Sequence, residues 1–372
     1  MTVSMSPTAA VAHDADLAVL STGDVRLPVH AEAPASVPRR ADQPYRPVTG
    51  ETGLRELVAA HASPDRGARL RPDRVIITPG ARQAILLALY ALPAGRREVL
   101  LSTPYWASYP HLIRLAGGVP VPVLGVVGGM PDRSVLESLR SPATGCVVVN
   151  SPRNPDGAVA SRAWVREVTT WAAEHGIQVL FDQIYRGVPL NAEPAPTVAQ
   201  LDDELPAHCV LVDGVTKSHA LAGLRLGWAV AGEHHHATMA ALASHLLGGV
   251  CLPAQEVAAE VLRRHEVPVR VGAALRANLD LATGALAGLP GVTCPEPDGG
   301  IFLFPDLRGW LSGTAPPAAR ADLTGWLRDE HRVAVVDGAA FGAPGHVRLS
   351  FAVPGDLLAR GVSRLRAALG GR

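Results

Sequence analysis

The stretch D-G-V-T-K-S-H-A-L-A-G-L-R-L-G-W, residues 213–228, contains Lys217, the one lysine among the 34 lysine and arginine residues of the chain. It directly follows an apolar run, residues 210–213, that is typical of a strand. A lysine amine can lose its proton and condense with an aldehyde, whereas the arginine guanidinium stays protonated. A compositional accident would also leave a lone lysine. The strand end before it and Arg225 eight residues later favour a chemical role.

Working outward, short apolar strands alternate with helical stretches from about residue 70 to residue 230. Strands are predicted at residues 75–78, 98–102, 119–124, 146–149, 178–181 and 210–213, with helices at residues 81–92, about 106–116 and 162–175. This alternation predicts an α/β fold whose central sheet is mostly parallel and covered on both faces. In such sheets the ligand-binding and catalytic residues usually lie at the carboxyl ends of the strands.

The pattern changes after Trp228. Residues 237–247 and 253–282 are predicted to be helical, with room for a long helix that links two domains. Strands at residues 300–304, 333–336 and 347–351 and a helix at residues 321–330 then predict a smaller α+β unit. A chain of 372 residues is long enough for two domains. We therefore predict an N-terminal arm and part of the small domain at residues 1–40, a large domain at 41–240, and a linking helix with the small C-terminal domain at 241–372. The Pro- and Ala-rich arm should pack on the small domain or on a partner subunit.

Composition excludes several classes of function. The formal net charge is zero, so nothing favours nucleic acid or an anionic membrane as a partner. The longest apolar runs, such as residues 84–92, are too short to span a bilayer, and the N-terminus lacks the pattern of a secretory signal. The four cysteines are widely scattered without metal-ligand spacing, so no metal site is expected. A soluble cytoplasmic protein is the expectation.

Two motifs precede Lys217 at predicted strand ends. In I-T-P-G-A-R-Q-A, residues 77–84, a strand passes through a glycine into a helix, so the amides around Ala81 and Arg82 are oriented to bind a phosphate. Many α/β proteins have such a corner without a ligand. In T-P-Y-W-A-S-Y-P, residues 103–110, Trp106 can stack on a flat heteroaromatic ring, although ordinary core packing is the alternative.

Two further motifs point to a ring with a phenolic oxygen and a basic nitrogen. N-S-P-R-N-P-D-G, residues 150–157, projects Asn154 at a strand end, where its amide can donate to a phenolic oxygen. In V-L-F-D-Q-I-Y-R-G, residues 179–187, Asp182 ends an apolar strand and calls for a cationic partner such as a pyridinium N–H, and Tyr185 can reach the phenolic oxygen. A plain turn at Asn154 and an N-cap or structural ion pair at Asp182 are the alternatives.

Two arginines complete the set. Arg225 is spaced to clamp a phosphate while Lys217 holds an aldehyde. Arg348 lies in an apolar strand, G-H-V-R-L-S-F-A, residues 345–352, where a buried guanidinium needs an anion. A substrate carboxylate offers bidentate geometry, and a structural salt bridge is the alternative.

Taken in order, these residues resemble the class I/II aminotransferases, the fold-type I enzymes that depend on pyridoxal 5′-phosphate (PLP) and are related to aspartate aminotransferase. The resemblance covers roughly residues 18–370 and rests on the order and spacing of Asn154, Asp182, Tyr185, Lys217, Arg225 and Arg348. It implies the PLP-dependent transferase fold of type I. It also implies that Lys217 forms the internal aldimine, the Schiff base with PLP, and then moves the proton of the substrate Cα.

The same resemblance implies a role for each remaining residue. Asp182 would pair with the pyridine nitrogen, and Asn154 and Tyr185 would bond the ring O3′. The phosphate and the ring face would be held by Ala81, Arg82, Arg225 and Trp106. Arg348 would bind the substrate α-carboxylate, with Asn154 and with Gly23 of L-S-T-G-D beside the substrate. Tyr45, in Y-R-P-V-T-G-E-T-G-L-R, would reach the phosphate of a neighbouring subunit, which implies a homodimer with shared active sites.

The chain departs from the family pattern just before the lysine. The common S-x-S-K is here G-V-T-K, so Gly214 replaces a hydroxyl that often touches the phosphate, and Thr216 becomes the candidate to replace that contact. Asp24 and Arg26 lie where a substrate could be touched, without an assigned role. Because Arg348 is the one convincing carboxylate-binding arginine, a dicarboxylate substrate is not indicated.

Fold and cofactor leave the reaction open. The leading prediction is aminotransfer on an amino acid. The alternative is a PLP-dependent lyase or cyclase of secondary metabolism, acting on an amino acid such as S-adenosylmethionine, which the Arg- and Ala-rich composition of a high-GC bacterium favours. A PLP-bearing transcription regulator is disfavoured because the resemblance starts near residue 18, and a nicotinamide dehydrogenase because no G-x-G-x-x-G follows the first strand.

Overall fold

The computed structural model describes residues 16–30, 45–63, 69–188, 190, 194–202 and 204–370. Of the predicted N-terminal arm, residues 1–15 and 31–40 lie outside these ranges. The strands are β1 (Ala18–Val19), β2 (Val75–Thr78), β3 (Glu98–Ser102), β4 (Val119–Val123), β5 (Thr144–Asn150), β6 (Gln178–Asp182), β7 (Cys209–Gly214), β8 (Gly227–Ala231), β9 (Phe302–Leu303), β10 (Val333–Ala334), β11 (Val336–Asp337) and β12 (Val347–Ser350).

The helices accompany these strands along the chain. They are α1 (Thr52–Ala62), α2 (Ala81–Tyr90), α3 (Tyr109–Leu115), α4 (Arg133–Leu139), α5 (Arg162–Glu174), α6 (Val215–Ser218), α7 (Glu233–Leu246), α8 (Leu252–Val261), α9 (Glu266–Leu286), α10 (Arg308–Ser312), α11 (Pro317–Ala321), α12 (Leu323–Asp329) and α13 (Gly355–Leu369). No helix in the described ranges combines the length and the hydropathy needed to cross a lipid bilayer.

A seven-stranded sheet in the order β2-β8-β7-β6-β5-β3-β4 occupies the centre of the described chain. All of its pairings are parallel except those of β8, which runs antiparallel to both β2 and β7. The α/β fold with a mostly parallel central sheet is thereby confirmed. Since strands β5, β6 and β7 all point the same way, their carboxyl ends meet at one edge of the sheet.

Both faces of the central sheet are covered, which explains why its strands read as continuous apolar runs rather than alternating ones. Every residue of β5, β6 and β7 is buried. One face packs a hydrophobic core with α1, α5 and α8, and the other packs a core with α2, α3 and α7. The amphipathic helix α5 begins where the Ser161 hydroxyl accepts a hydrogen bond from the Trp164 amide, an ordinary N-cap.

A further hydrophobic core lies outside the central sheet. It joins α9 and α13 to the three-stranded sheet β11-β12-β9, and to the short parallel pair β1-β10. Leu20 and Val25, from the described part of the N-terminal segment, belong to this core. The domain boundaries near residues 40 and 240 stay a prediction.

Several element boundaries differ from the sequence-based expectation. The helical stretch predicted at residues 253–282 is two helices, because α8 ends at Val261 and α9 begins at Glu266. Pro268, in the first turn of α9, was an available signal of this break, because proline is tolerated at a helix start but not in a helix interior. The single strand predicted at residues 333–336 is two short strands with different partners, β1 for β10 and β12 for β11. Helix α13, which packs along α9, was not predicted from the sequence.

Candidate active site

A cavity of about 520 Å³ opens at the carboxyl edge of the central sheet. Its lining combines residues from the ends of β5, β6 and β7, the start of α2, strand β12 and the N-terminal segment. The lining residues are Val19, Thr22, Gly23, Asp24, Arg26, Ala81, Arg82, Ile85, Trp106, Asn150, Asn154, Asp182, Ile184, Tyr185, Thr216, Lys217, Arg225 and Arg348. Apart from Tyr45, every residue predicted for the site from the sequence lies on this wall.

Lys217 projects into the cavity from the short helix α6, which directly follows β7. Its Nζ donates a hydrogen bond to the Gly23 carbonyl and lies 5.9 Å from the centre of the Tyr185 ring. Burial lowers the pKa of Lys217 to about 8, and the carboxylate of Asp24 opposes that shift. A lysine with such a pKa is partly neutral near physiological pH, which suits a nucleophile or a proton carrier.

Two arginines and a helix start form an anion cradle beside Lys217. Gly80 joins β2 to α2 with φ +87°, and a methyl group there would lie 2.8 Å from Nη2 of Arg225. Arg225 itself adopts a left-handed conformation, φ +53°, which is uncommon for a residue other than glycine. Burial, followed by repulsion from Arg225, lowers the pKa of Arg82. Two guanidinium groups held together at a helix start fit a phosphate.

Asp182 ends β6 at the floor of the cavity and is fully enclosed by protein. The Tyr109 hydroxyl donates to its Oδ2 at 2.6 Å, and the Ile184 amide donates to its Oδ1 at 3.1 Å. Burial nevertheless raises the pKa of Asp182 above its ordinary value, and the hydrogen bonds and the charge of Lys217 only partly oppose this shift, so a further cation would be favoured here. Sequence reasoning missed Tyr109. Tyr109 follows Trp106 by three residues, and the two rings pack edge to face at 5.2 Å.

Asn154, Tyr185 and Arg348 form a connected group. The Asn154 amide approaches the Tyr185 hydroxyl at 3.5 Å, while its Oδ1 accepts from Nη1 of Arg348 at 3.1 Å. Nη2 of Arg348 donates to the Ser21 carbonyl at 3.2 Å. The guanidinium lies 4.1 Å from the centre of the Phe302 ring. Burial lowers the pKa of Arg348 to about 10.

Arg348 pairs with no carboxylate among the described residues, and its Nε lacks a hydrogen-bond partner there. The structural salt bridge considered for this arginine is therefore not found in those ranges. A buried, incompletely paired guanidinium is costly unless an anion meets it. The side chain is thus suited to receive the carboxylate of a ligand.

An ion pair that was not foreseen braces the Asn154 loop. The guanidinium of Arg153 and the carboxylate of Asp156 are both buried and bond each other, with Nε to Oδ1 at 2.8 Å. Arg153 also donates to the Val126 carbonyl at 2.9 Å, and Asp156 accepts from the Gly128 amide at 2.8 Å. The pair therefore ties the loop that carries Asn154 to the neighbouring loop after β4.

Tyr45 is the predicted site residue that the cavity does not include. Its side chain is 99% exposed. The resemblance placed it against a neighbouring subunit, and its position at the surface of one chain leaves that prediction open.

The cavity as a whole fits the cofactor implied by the resemblance. It offers cations for a phosphate, a buried carboxylate without a cation for a ring nitrogen, donors near a phenolic oxygen, and an amine of lowered pKa. Trp106 adds a flat aromatic face at the wall, with Arg82 lying 5.1 Å from the ring centre.

Comparisons with known proteins agree with this geometry. The family model of aminotransferase class I and II matches residues 16–365. The aspartate aminotransferase of Streptomyces avermitilis is 34% identical over 334 residues, which cover 87% of this chain and 81% of the relative. The aspartate/prephenate aminotransferase of Thermus thermophilus is 32% identical, over 98% of this chain and 97% of the relative. A solved structure of the aspartate aminotransferase from Thermus thermophilus with maleate superimposes with a TM-score of 0.82 at 30% identity, covering 95% of this chain and 92% of that chain.

Proposed function

The chain belongs to the class I and II aminotransferase family and is an aminotransferase with fold type I, and on that premise we propose that it binds PLP in the cavity around Lys217. The family implies the cofactor. The carrying observation is that Lys217 and Arg348, whose Nε has no partner among the described residues, line one cavity together with an anion cradle and a buried carboxylate.

Each part of the cofactor would have its own set of residues. The phosphate would lie at the start of α2 between the guanidinium groups of Arg82 and Arg225, and the ring would lie against Trp106. Its nitrogen would face Asp182, and its phenolic oxygen would face Asn154 and Tyr185. The remaining proposed contacts are made by Ala81 and Thr216. The bound cofactor supplies an aldehyde for the substrate amine and an electron-withdrawing ring.

The protein's own contribution is to orient the substrate and to carry a proton. Arg348 would bind the α-carboxylate, which points the Cα–H bond toward Lys217. Lys217 would hold that proton on Nζ and return it, a task for which a pKa of about 8 is suited. Asn154 is hydrogen-bonded to Arg348 and adjacent to Tyr185, so it would hold the substrate carboxylate and the cofactor ring in a fixed relative position. Gly23, whose carbonyl accepts from Lys217, would line the substrate beside it.

The relatives' names favour aminotransfer over the lyase or cyclase reaction considered from the sequence. They also name aspartate, which carries a second carboxylate. Among the described residues, Arg348 is the arginine that burial and an unpaired Nε suit to a carboxylate. We therefore keep an α-amino acid as the proposed donor and argue its side chain separately below.

Borohydride reduction of the purified protein, followed by peptide mapping, tests the cofactor assignment. The reduced cofactor should be attached to Lys217, and Lys217→Arg should abolish labelling while keeping the positive charge. Adding an amino acid without a keto acid should yield one equivalent of keto acid and remove the cofactor's visible absorbance. Labelling elsewhere, or none, would contradict the cofactor proposal. Release of a side-chain fragment instead of a keto acid would contradict aminotransfer.

A homodimer with shared active sites is the proposed assembly, as aminotransferases are generally dimeric. The 99% exposed ring of Tyr45 supports this assembly, because a partner chain would cover it. Mixing Lys217→Ala protein with Tyr45→Ala protein tests this. If Tyr45 serves the partner's site, refolded mixtures should recover activity that neither variant has. Monomers in light scattering would contradict it.

A cytoplasmic location is also part of the proposal. All four cysteines are free thiols, which suits a reducing compartment. Cell fractionation with an antibody against the chain would test it.

A further inference from the structure

The N-terminal segment S-T-G-D-V-R, residues 21–26, forms one wall of the cavity. It carries the carboxylate of Asp24, which has no part in the proposed reaction. Its backbone is fixed on both sides of the site. The Ser21 carbonyl accepts from Arg348, the Gly23 carbonyl accepts from Lys217, and the Arg26 amide donates to the Ala352 carbonyl at 2.8 Å. Asp24 lines the same cavity, so if Arg348 and Lys217 bracket the substrate Cα, the substrate side chain would meet Asp24.

Asp24 has no assigned ligand once each of the other charged residues of the cavity is matched with a part of the cofactor or substrate. Arg82 and Arg225 would meet the phosphate, Arg348 the α-carboxylate and Asp182 the ring nitrogen. Of the charges lining the cavity, this leaves the carboxylate of Asp24 and the guanidinium of Arg26. They are bonded to each other through Nε of Arg26 alone, at 3.1 and 3.2 Å.

Asp24 directly follows Gly23, whose carbonyl accepts a hydrogen bond from Lys217, whereas Arg26 lies three residues beyond that contact. Asp24 also raises the pKa of Lys217 against the effect of burial. Its side chain is 35% accessible and that of Arg26 is 46% accessible, so the arginine lies further toward solvent. An ion pair this exposed to water is weak, so a ligand can replace Arg26 at Asp24 with little loss.

Thr22 provides a second, independent feature of the same wall. Its side chain is buried and lines the cavity, and Oγ1 has no hydrogen-bond partner among the described residues. A buried hydroxyl without a partner is unfavourable, and a ligand N–H would satisfy it. The wall thus offers an anionic acceptor and a neutral acceptor two residues apart.

An acidic side chain fits this wall poorly. The carboxylate of aspartate is one carbon from Cα and would approach the Asp24 carboxylate, and two like charges repel strongly in a partly enclosed site. A neutral side chain would leave the Thr22 hydroxyl without a partner and Asp24 with Arg26 alone. An amino or guanidino group would satisfy both.

From this geometry we infer that the substrate is an amino acid with a cationic side chain, recognised by Asp24 with Thr22 beside it. This rests on the proposed function, since it assumes that Arg348 and Lys217 bracket the α-carbon. It differs from the relatives, whose names specify aspartate or prephenate.

Kinetics of the half-reaction on the holoenzyme test the inference with isosteric pairs. Wild-type protein should convert arginine faster than citrulline, and ornithine faster than norleucine, by about 10- to 100-fold in kcat/KM, the range of one charged hydrogen bond. Asp24→Asn should bring both ratios near one, because any change in rate caused by the loss of its charge near Lys217 affects both members of a pair alike. Asp73→Asn is the matched control, because Asp73 pairs with Arg71 across the same two-residue spacing away from this cavity. It should keep the wild-type ratios.

A binding measurement separates failure of the inference from failure of the proposed function. The α-deamino analogue of arginine keeps the carboxylate and the guanidinium but cannot react, and calorimetry can compare it with hexanoate and adipate. It should bind more tightly than both to wild-type protein, and this advantage should disappear in Asp24→Asn. If that holds while no amino acid is converted, aminotransfer is wrong and the cation site stands. If aspartate or adipate is preferred, or Asp24→Asn keeps the preference for cations, the inference is overturned. Loss of a dicarboxylate preference in Arg26→Gln would name Arg26 as the determinant instead.

Discussion

Replacing Tyr109 by Phe should weaken the cofactor site without touching a residue that contacts the substrate. The Tyr109 hydroxyl donates to Oδ2 of Asp182 at 2.6 Å, and both groups are buried. Only the Ile184 amide, on Oδ1, would then remain as a hydrogen-bond donor to this carboxylate among the contacts described. The phenyl ring can keep its edge-to-face packing on Trp106, so the change isolates one hydrogen bond.

The size of the effect follows from burial. A hydrogen bond to a charged group contributes about 1.5–3 kcal/mol when no water can replace it. That free energy corresponds to about 1–2 units in the pKa of Asp182, which burial already raises. The sign is upward, because the lost hydrogen bond favours the ionised form. A carboxylate that ionises less readily pairs less well with a ring N–H, so the dissociation constant of PLP should rise about tenfold or more.

Fluorescence titration of PLP into apoprotein measures this constant, and thermal unfolding of the apoprotein measures the structural cost. Tyr90→Phe is the matched control, since the Tyr90 hydroxyl donates to the Leu115 carbonyl at 3.3 Å near the surface. It should match wild type in both measurements. The reasoning fails if Tyr109→Phe binds PLP as tightly as Tyr90→Phe does, or if its loss of affinity is explained by unfolding alone.

Three further changes have outcomes that the structure specifies. Asp156→Asn leaves the buried Arg153 cation unpaired, so urea unfolding should show a loss of about 3–5 kcal/mol, and an effect below about 1 kcal/mol would contradict the brace. Arg348→Met should abolish binding of α-carboxylates while leaving the apoprotein at least as stable, and calorimetry beside thermal unfolding checks both. Burial lowers the pKa of His61 to about 4 and that of His219 to about 3, so the unfolded chain takes up protons first as the pH falls below about 6.5. Stability should therefore be fully present above that pH and decline by up to about 1.4 kcal/mol per pH unit for each histidine, a slope that His219→Asn should reduce.

The sequence predicted best those residues whose positions follow from sheet geometry. Asn154, Asp182 and Lys217 each lie at or just after the end of one of three neighbouring parallel strands, and parallel strands bring such ends together whatever the loops do. Arg348 was found because an arginine within an apolar strand is itself an anomaly. The helix start at Ala81 was found because a glycine separates it from β2.

Contacts between separate elements were the part that sequence could not predict. Tyr109 reaches Asp182 because α3 packs above the sheet at a particular angle, and no local pattern encodes that angle. Strand β8 was not predicted at all, and its antiparallel direction could not be read from the sequence, since a run such as Gly227–Ala231 reads alike in either direction. The pairing of Arg153 with Asp156 depends on loop conformation, and their spacing of three residues is common in helices and turns.

The same distinction explains why the side-chain preference of the site was the hardest property to foresee. The cofactor residues sit on rigid strand ends of the central sheet, whereas Arg348 and the segment at residues 21–26 are anchored to the separate core of α9, α13 and β12. The local sequence of either part does not show that the two lie together, because their contact depends on how the two hydrophobic cores pack. Yet it is this contact that sets Asp24 beside Lys217 and turns a short, unremarkable N-terminal string into one wall of the site. Specificity can therefore change through substitutions at Thr22 or Asp24 while every residue that implies the family stays in place.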